Sequence, residues 1–213
     1  MSMTPDEAQF EEWMDELYRE HKEQAIEEFT GERLQSFYLT HPLVAQPPSE
    51  ALASARRLLD GDTSAAQVFA AVAVEVGLKV ALLKPVVHGL VHNESAAEII
   101  TDLTLRHTRF DFFHRLLSQI LFEHGGVDLR TYTREGIAKS LWEEILEVQK
   151  CRDHVLHRAE SASLAQAEQA IAVAAAILER LFPAVVSHLG LHLHDGVRIC
   201  ADWKCRSSSL PRG

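Results

Sequence analysis

Apolar positions in this chain recur every three or four residues, almost from end to end. That spacing marks amphipathic helices; strands would alternate apolar and polar positions. Phe10, Trp13, Met14 and Leu17 keep it in a first helix, opened by Thr4 as cap and Pro5 at the first helical position. Thr30-Gly31 reads as a stop signal. Residues 40–50 read as a loop with Ser49 as the next cap, and residues 51–62 as a short helix. A strongly apolar helix over 63–84 ends near Pro85, and residues 85–93 continue it beyond a kink or break. Ser95 caps a helix over 96–107, and another over 110–126 ends at Gly125-Gly126. Residues 133–159 read as one long amphipathic helix. Ser163 and Gln166 fit a capping box for the last helix, over 164–190, which Pro183 should kink. The tail departs from the pattern: two short alternating runs flank Asp195-Gly196, a type I′ hairpin signal. In that register His194 faces Val197 and His192 faces Ile199, so neither side is cleanly apolar.

These elements define an all-α protein. The 213 residues divide into an acidic helix and loop (1–48), a helical bundle (49–190) and a hairpin with its tail (191–213). No uninterrupted apolar run reaches the ~18 residues of a membrane helix. The acidic N-terminus also lacks the apolar segment of a secretory signal. No membrane is therefore expected. Three cysteines, Cys151, Cys200 and Cys205, suit a reducing cytoplasm better than a disulfide scaffold. A net charge of −10 argues at first against a nucleic-acid partner. Its distribution weakens that argument. Residues 1–33 carry −8, and the other 180 residues carry only −2. Such an N-terminal segment is either a solvated helix face or an acidic arm shielding a basic site.

One charged residue stands where the pattern asks for an apolar one. On a wheel of about 100° per residue, Leu141, Ile145, Val148, Arg152 and Val155 form one stripe, widened by Trp142, Leu146 and Leu156. Arg152 lies near its centre. A buried guanidinium is costly unless it is paired and hydrogen-bonded. It needs an internal partner, a route to solvent or an anionic ligand. Glu75, one turn from Lys79 in the apolar helix, is a candidate partner. Asp153 and His157 lie together on one flank of the stripe. His157 is about 140° from Arg152 on the wheel. The two therefore meet across a cleft edge or across a two-fold dimer.

The segment "RDHVLH", Arg152 to His157, resembles the Arg-x4-His motif of the HEPN superfamily, with Asp153 as the polar residue that commonly follows the arginine. The surroundings are similar too: a long amphipathic helix before the motif, a Ser-capped Ala-rich helix after it, and "VEVGLK" upstream. The resemblance covers roughly residues 64–190. It implies an HEPN-like antiparallel helical bundle, here with an extra acidic N-terminal helix and a small C-terminal hairpin. It implies a homodimer whose motifs face each other. It further implies a metal-independent endoribonuclease with no cofactor, set in toxin–antitoxin, phage-defence or RNA-processing systems. RNA and an antitoxin or operon-encoded protein are then the expected partners. Other members have lost catalysis and bind RNA, a nucleotide or a protein. Some are regulated through a tyrosine two residues after the histidine; Ala159 stands there, which puts that regulation in doubt.

The residue types suit the chemistry. Attack by a ribose 2′-OH needs a base, an acid for the leaving 5′-oxygen and a cation for the phosphorane-like charge. Histidine, ordinarily titrating near ~6.5, serves as base or acid. Arginine grips phosphate through a planar fork and stays charged. Arg152 and His157 are the catalytic candidates, with Asp153 orienting one of them. Arg106, Arg109 and Arg115, with His107 and His114, make the most basic local stretch and are candidates for RNA phosphate contact. His88 and His92 have a metal-compatible spacing, but Gly89 stands where a His-Glu-x-x-His motif needs glutamate. His192, His194, Cys200 and Cys205 match no common zinc spacing, so no metal is expected. The competing readings are a non-catalytic all-α interaction module and, more weakly, a small metal-binding regulator using the tail.

Overall fold

A computed structural model describes residues 31–90, 117–118, 121–122, 126–129 and 131–201. The acidic first helix, the Ser95-capped helix, His92, the Arg106, Arg109 and Arg115 group, and Cys205 lie outside the described residues.

The described chain is mostly helical, with one two-stranded sheet. Helix α1 (residues 31–40) leads to α2 (Gln46–Leu58). Ser49 is not the cap of α2. Ala45 occupies that position, and the prolines at 47 and 48 fill the first turn. Their φ is already helical, and they bring no N–H that needs a partner there. Helix α3 (Thr63–Val76) is capped by Asp62, whose carboxylate accepts the Ala65 N–H at 2.9 Å.

Of the kink or break expected near Pro85, the break does not occur. Helix α3 widens into a π-helical stretch, Gly77–Leu83, and continues as α4 (Lys84–Leu90). Pro85 has no N–H for the carbonyl of Ala81, four residues back. The buried Tyr38 hydroxyl, from α1, donates to that carbonyl at 2.8 Å. Pro183 is accommodated in the same way. Helix α6 (Leu164–Ala176) widens over Ile177–Leu181 and continues as α7 (Phe182–His188), with the proline in its first turn. In both places an N–H reaches back five residues, Lys84 to Lys79 and Phe182 to Ile177. A wider turn absorbs the proline that would clash inside a regular one.

Helix α5 (Leu141–Arg158) starts eight residues later than the apolar spacing suggests. Ser140 and Glu143 form a capping box, and Gly136, at φ 76°, turns the chain ahead of it. The Ser163–Gln166 capping box of α6 forms as expected.

The tail hairpin forms with a different register. Strands β1 (His192–His194) and β2 (Arg198–Cys200) pair His192 with Cys200, Leu193 with Ile199 and His194 with Arg198. Asp195 and Gly196 both take positive φ, as their sequence suggests. The one-residue shift sets Leu193 opposite the buried Ile199, so two apolar side chains meet against the core.

Helices α3 and α6 run side by side in the same direction. Near their starts, Thr63 Oγ1 donates to the Ala162 carbonyl at 2.7 Å and the Ala162 N–H to Ser64 at 3.0 Å. Near their ends, a Cβ on Gly77 would lie 2.9 Å from Leu178 Cδ2. Fully buried alanines on both helices, among them Ala70, Ala73, Ala170 and Ala174, permit this close approach. The core runs on past residues 48 and 190, taking in Leu34 and Tyr38 from α1 and Leu191 and Ile199 from the tail. Although no uninterrupted apolar run is long enough, Thr63–Leu83 and Leu164–His188 have a mean hydropathy and length that would suit a membrane span. The bundle instead buries 67% and 56% of an apolar 18-residue window within each, as core helices are buried.

Candidate functional site

The apolar stripe of α5 is narrower than its sequence suggests. Leu141, Ile145 and Val148 are buried, but Leu146 and Leu156 are exposed. Along the α3 contact the stripe gives way to polar rungs. Gln67 Nε2 donates to the Val148 carbonyl at 3.1 Å, and Gln149 Nε2 to the Ala71 carbonyl at 3.4 Å. The next rung is ionic: Arg152 Nη1 donates to Glu75 Oε2 at 2.5 Å. Gln67 and Glu75 stand eight residues apart on one edge of the otherwise apolar α3, and Lys79 follows in the π-helical stretch.

Four charges link through Arg152. Lys79 Nζ lies 2.7 Å from Glu75 Oε1, and Glu75 holds Arg152. Arg152 Nε and Nη2 both donate to Asp153 Oδ1, at 3.1 and 2.8 Å. Two cations and two anions alternate, so the chain is formally neutral. Side-chain exposure is 7% at Lys79, 23% at Glu75, 16% at Arg152 and 51% at Asp153. The partner expected for Arg152 is thus in place, and the expected contact of Asp153 with Arg152 is present.

This geometry changes the relation of Arg152 to His157. From their backbone positions the two point apart. The guanidinium, however, turns its Nε/Nη2 edge across the helix to Asp153. His157 lies one turn beyond Asp153 on the same flank, a spacing that brings Cβ atoms within about 5–6 Å. His157 is exposed in the last turn of α5. Its neighbour His154 faces elsewhere and meets Glu160 Oε2 at 3.0 Å.

The two edges of the fork differ in what can displace their partners. Glu75 grips from the interior side and is itself held by Lys79. Asp153 is half-exposed, and exposed ion pairs contribute only ~0–1 kcal/mol. A tetrahedral phosphate can accept a guanidinium's paired N–H donors through two of its oxygens, as a carboxylate does. It can take Asp153's place while Glu75 keeps the guanidinium oriented.

A second arginine–carboxylate pair was not legible in the sequence. Arg134 Nε and Nη2 donate to Glu144 Oε2 and Oε1, at 2.8 and 2.6 Å, a closed bidentate pair. Hydrogen bonding to Glu144 raises the Arg134 pKa further. On a single helix starting at residue 133, Arg134 and Glu144 would stand ten residues apart along the axis and out of reach. The Ser140 cap was the signal that separates them.

The remaining candidates do not converge on this site. The His88 carbonyl accepts from Arg33 Nη2 at 3.0 Å, and its ring packs on Phe37. In the tail, His192 Nδ1 lies 3.0 Å from Cys200 Sγ, and His194 Nε2 lies 2.9 Å from Asp195 Oδ2. Among the described residues, no three His, Cys, Asp or Glu side chains are grouped to hold a metal ion. The fold and site define an all-α bundle with an anchored, partly open arginine. Compared with known proteins, the chain matches no family model, no curated protein and no solved structure.

Proposed function

We propose that this chain is a metal-independent endoribonuclease of HEPN type, acting on RNA in the cytoplasm as a homodimer. One observation carries the reading: Glu75 anchors Arg152 from inside, while the other edge of the guanidinium is turned toward the flank of His157. A scissile phosphate displacing Asp153 would be clamped by Arg152 with the imidazole one turn away. His157 then takes the proton of the attacking 2′-OH or delivers one to the leaving 5′-oxygen. Arg152 balances the charge that builds on the phosphoryl oxygens. A two-fold partner supplies a second histidine, so base and acid need not be the same group. Asp153 acts as a stand-in for phosphate that keeps the arginine oriented. The toxin–antitoxin or defence setting, with an antitoxin or operon-encoded partner, follows from the resemblance of "RDHVLH" and its surroundings.

The test is RNA cleavage in EDTA by wild type, Arg152→Ala and His157→Ala, with the ends examined for 2′,3′-cyclic phosphate. Activity that survives EDTA and vanishes in both folded variants supports the reading. A folded wild-type dimer that cleaves no RNA across varied sequences overturns it.

A second reading has its own observation. Both edges of the Arg152 guanidinium already hold carboxylates, as in a structural ion pair. On that reading the chain is a non-catalytic all-α module binding RNA, a nucleotide or a protein partner. RNA then binds without being cut, and His157→Ala leaves the affinity unchanged.

A further inference from the structure

The C-terminal hairpin carries chemistry that the proposed function does not use. Side chains alternate along a strand, and paired residues share a face. Leu193 and Ile199 pair against the core, so the other face holds His192 opposite Cys200 and His194 opposite Arg198. A thiol thus shares one face with two imidazoles and a guanidinium. Cys200 is reduced and half-buried, and its Sγ lies 3.0 Å from His192 Nδ1. The His194 ring meets the His192 ring edge-on, with centroids 6.1 Å apart. Arg198 is exposed.

The surroundings of this thiol are poor in negative charge. Among the described residues of the hairpin, Asp195 is the only carboxylate, and it lies in the turn, 2.9 Å from His194 Nε2. Helix α7, which packs on β1, brings His188 as its titratable residue. The turn at 41–45, whose Pro42 carbonyl accepts the Ile199 N–H, brings His41. Neither stretch carries an acid. Cys151 is the internal contrast. It too is half-buried, but burial and then the Glu160 carboxylate push its thiol pKa up. An ordinary thiol is only slightly ionised at neutral pH, and a neighbouring imidazolium or arginine shifts that balance toward thiolate.

We propose that Cys200 is a modification site: a nucleophilic thiolate, formed by passing its proton to His192, that exchanges with a low-molecular-weight disulfide. The Cys200 sulfur attacks one sulfur of that disulfide, and a new S–S bond forms as the old one breaks. The departing thiolate takes the proton from His192 Nδ1. The products are a mixed disulfide on Cys200 and one small thiol, with no net gain or loss of electrons or protons. Arg198 places positive charge beside the thiolate and favours a disulfide that carries carboxylates. The site does not depend on the ribonuclease reading.

The experiment uses the full chain carrying Cys205→Ser, so that only Cys151 and Cys200 remain, on separate tryptic peptides. Iodoacetamide labelling at pH 7 is followed by mass spectrometry, in buffer and in urea. In urea the two thiols should react alike. In buffer Cys200 should react about tenfold faster than it does unfolded, and Cys151 more slowly than it does unfolded. His192→Phe should remove the acceleration, and Arg198→Gln should reduce it about twofold. With oxidised glutathione as the probe, the adduct should appear first on the Cys200 peptide and be reversed by dithiothreitol. If His192→Phe does not fold, the comparison of buffer with urea decides alone. A Cys200 that reacts no faster folded than unfolded overturns the proposal, as does acceleration that persists in a folded His192→Phe protein. Fast alkylation without a glutathione adduct on Cys200 overturns it too.

Discussion

Helix α5 meets an arginine–carboxylate pair near each end, and the two are built differently. Near its start, Arg134 and Glu144 are joined by two parallel hydrogen bonds, with the carboxylate side chain only 1% exposed. Near its end, Arg152 gives one N–H to Glu75 and two to the half-exposed Asp153. In the first pair the carboxylate is sealed from solvent and takes both bonds of the fork, so a ligand has no exposed anion to displace there. The second is anchored on one side and exchangeable on the other. The same residue types thus make a closed clasp in one place and a partly open pair in the other. What separates them is which carboxylate water can reach.

The largest expected effect tests the clasp. Arg134→Ala leaves the Glu144 carboxylate buried without its bidentate partner, and urea unfolding should show a loss of about 3 kcal/mol. RNA binding by the folded fraction should not change. A loss below ~1 kcal/mol would erase the distinction between the two pairs.

Glu75→Ala should cost less, about 2 kcal/mol, because Arg152 keeps Asp153 and a route to solvent. It should also impair RNA cleavage beyond its effect on stability, since the guanidinium loses its anchor. Unchanged cleavage in the folded variant would place the anchoring role elsewhere.

Ser140→Ala probes the cap that sets the start of α5, with an expected loss of about 1 kcal/mol. Its pH dependence has a definite sign. The Ser140 backbone N–H, and then its hydroxyl, hold the Glu143 carboxyl below the ordinary carboxylate range. A carboxyl depressed in the folded state contributes stability above its unfolded pKa and loses it as pH falls through the folded one. The difference between wild type and Ser140→Ala should therefore be full at neutral pH and shrink in acid. Ser140→Ala keeps the backbone N–H, so a constant difference across that range would mean that the hydroxyl contributes by accepting the Glu143 N–H and not by donating to the carboxylate.

Asp153→Ala should have the smallest effect on stability, within about 0.5 kcal/mol, as for exposed pairs. Its effect on binding should be larger and favourable: RNA affinity should rise and depend more steeply on salt, because a competing anion is gone. Weaker RNA binding in this variant would mean that Asp153 positions the arginine more than it competes for it.

Much of the local architecture was legible before any packing was known. The Ser163–Gln166 box and the Asp195-Gly196 turn both formed, because each rests on contacts within four residues. The equally local Ser140–Glu143 box was read through, since apolar spacing resumes on both sides of it. The break expected at Pro85 failed for the opposite reason. Its remedy, the Tyr38 hydroxyl, comes from 43 residues earlier in the chain than the Ala81 carbonyl it satisfies. The hairpin register also depended on distant partners: Ile199 is buried and its N–H donates to the Pro42 carbonyl at 2.9 Å. At the site, the misfit of Arg152 in an apolar stripe was visible in sequence, and Glu75 was a candidate partner. The turn of the guanidinium toward Asp153 was not, because a wheel gives the direction of Cβ and not the reach of a long side chain.

By itself the sequence determined the helical class, the Ser163–Gln166 cap, the polar turn of the tail and the need of Arg152 for a counter-charge. These follow from periodicity, from hydrogen bonds within one turn and from the cost of burying an unpaired guanidinium. The tertiary structure alone decided that Pro85 sits in a continuous helix, that Arg134 closes on Glu144, and that a buried Gln67 carbonyl lacks a donor. Those outcomes depend on which surfaces meet and which groups water still reaches, and both are properties of the packed chain.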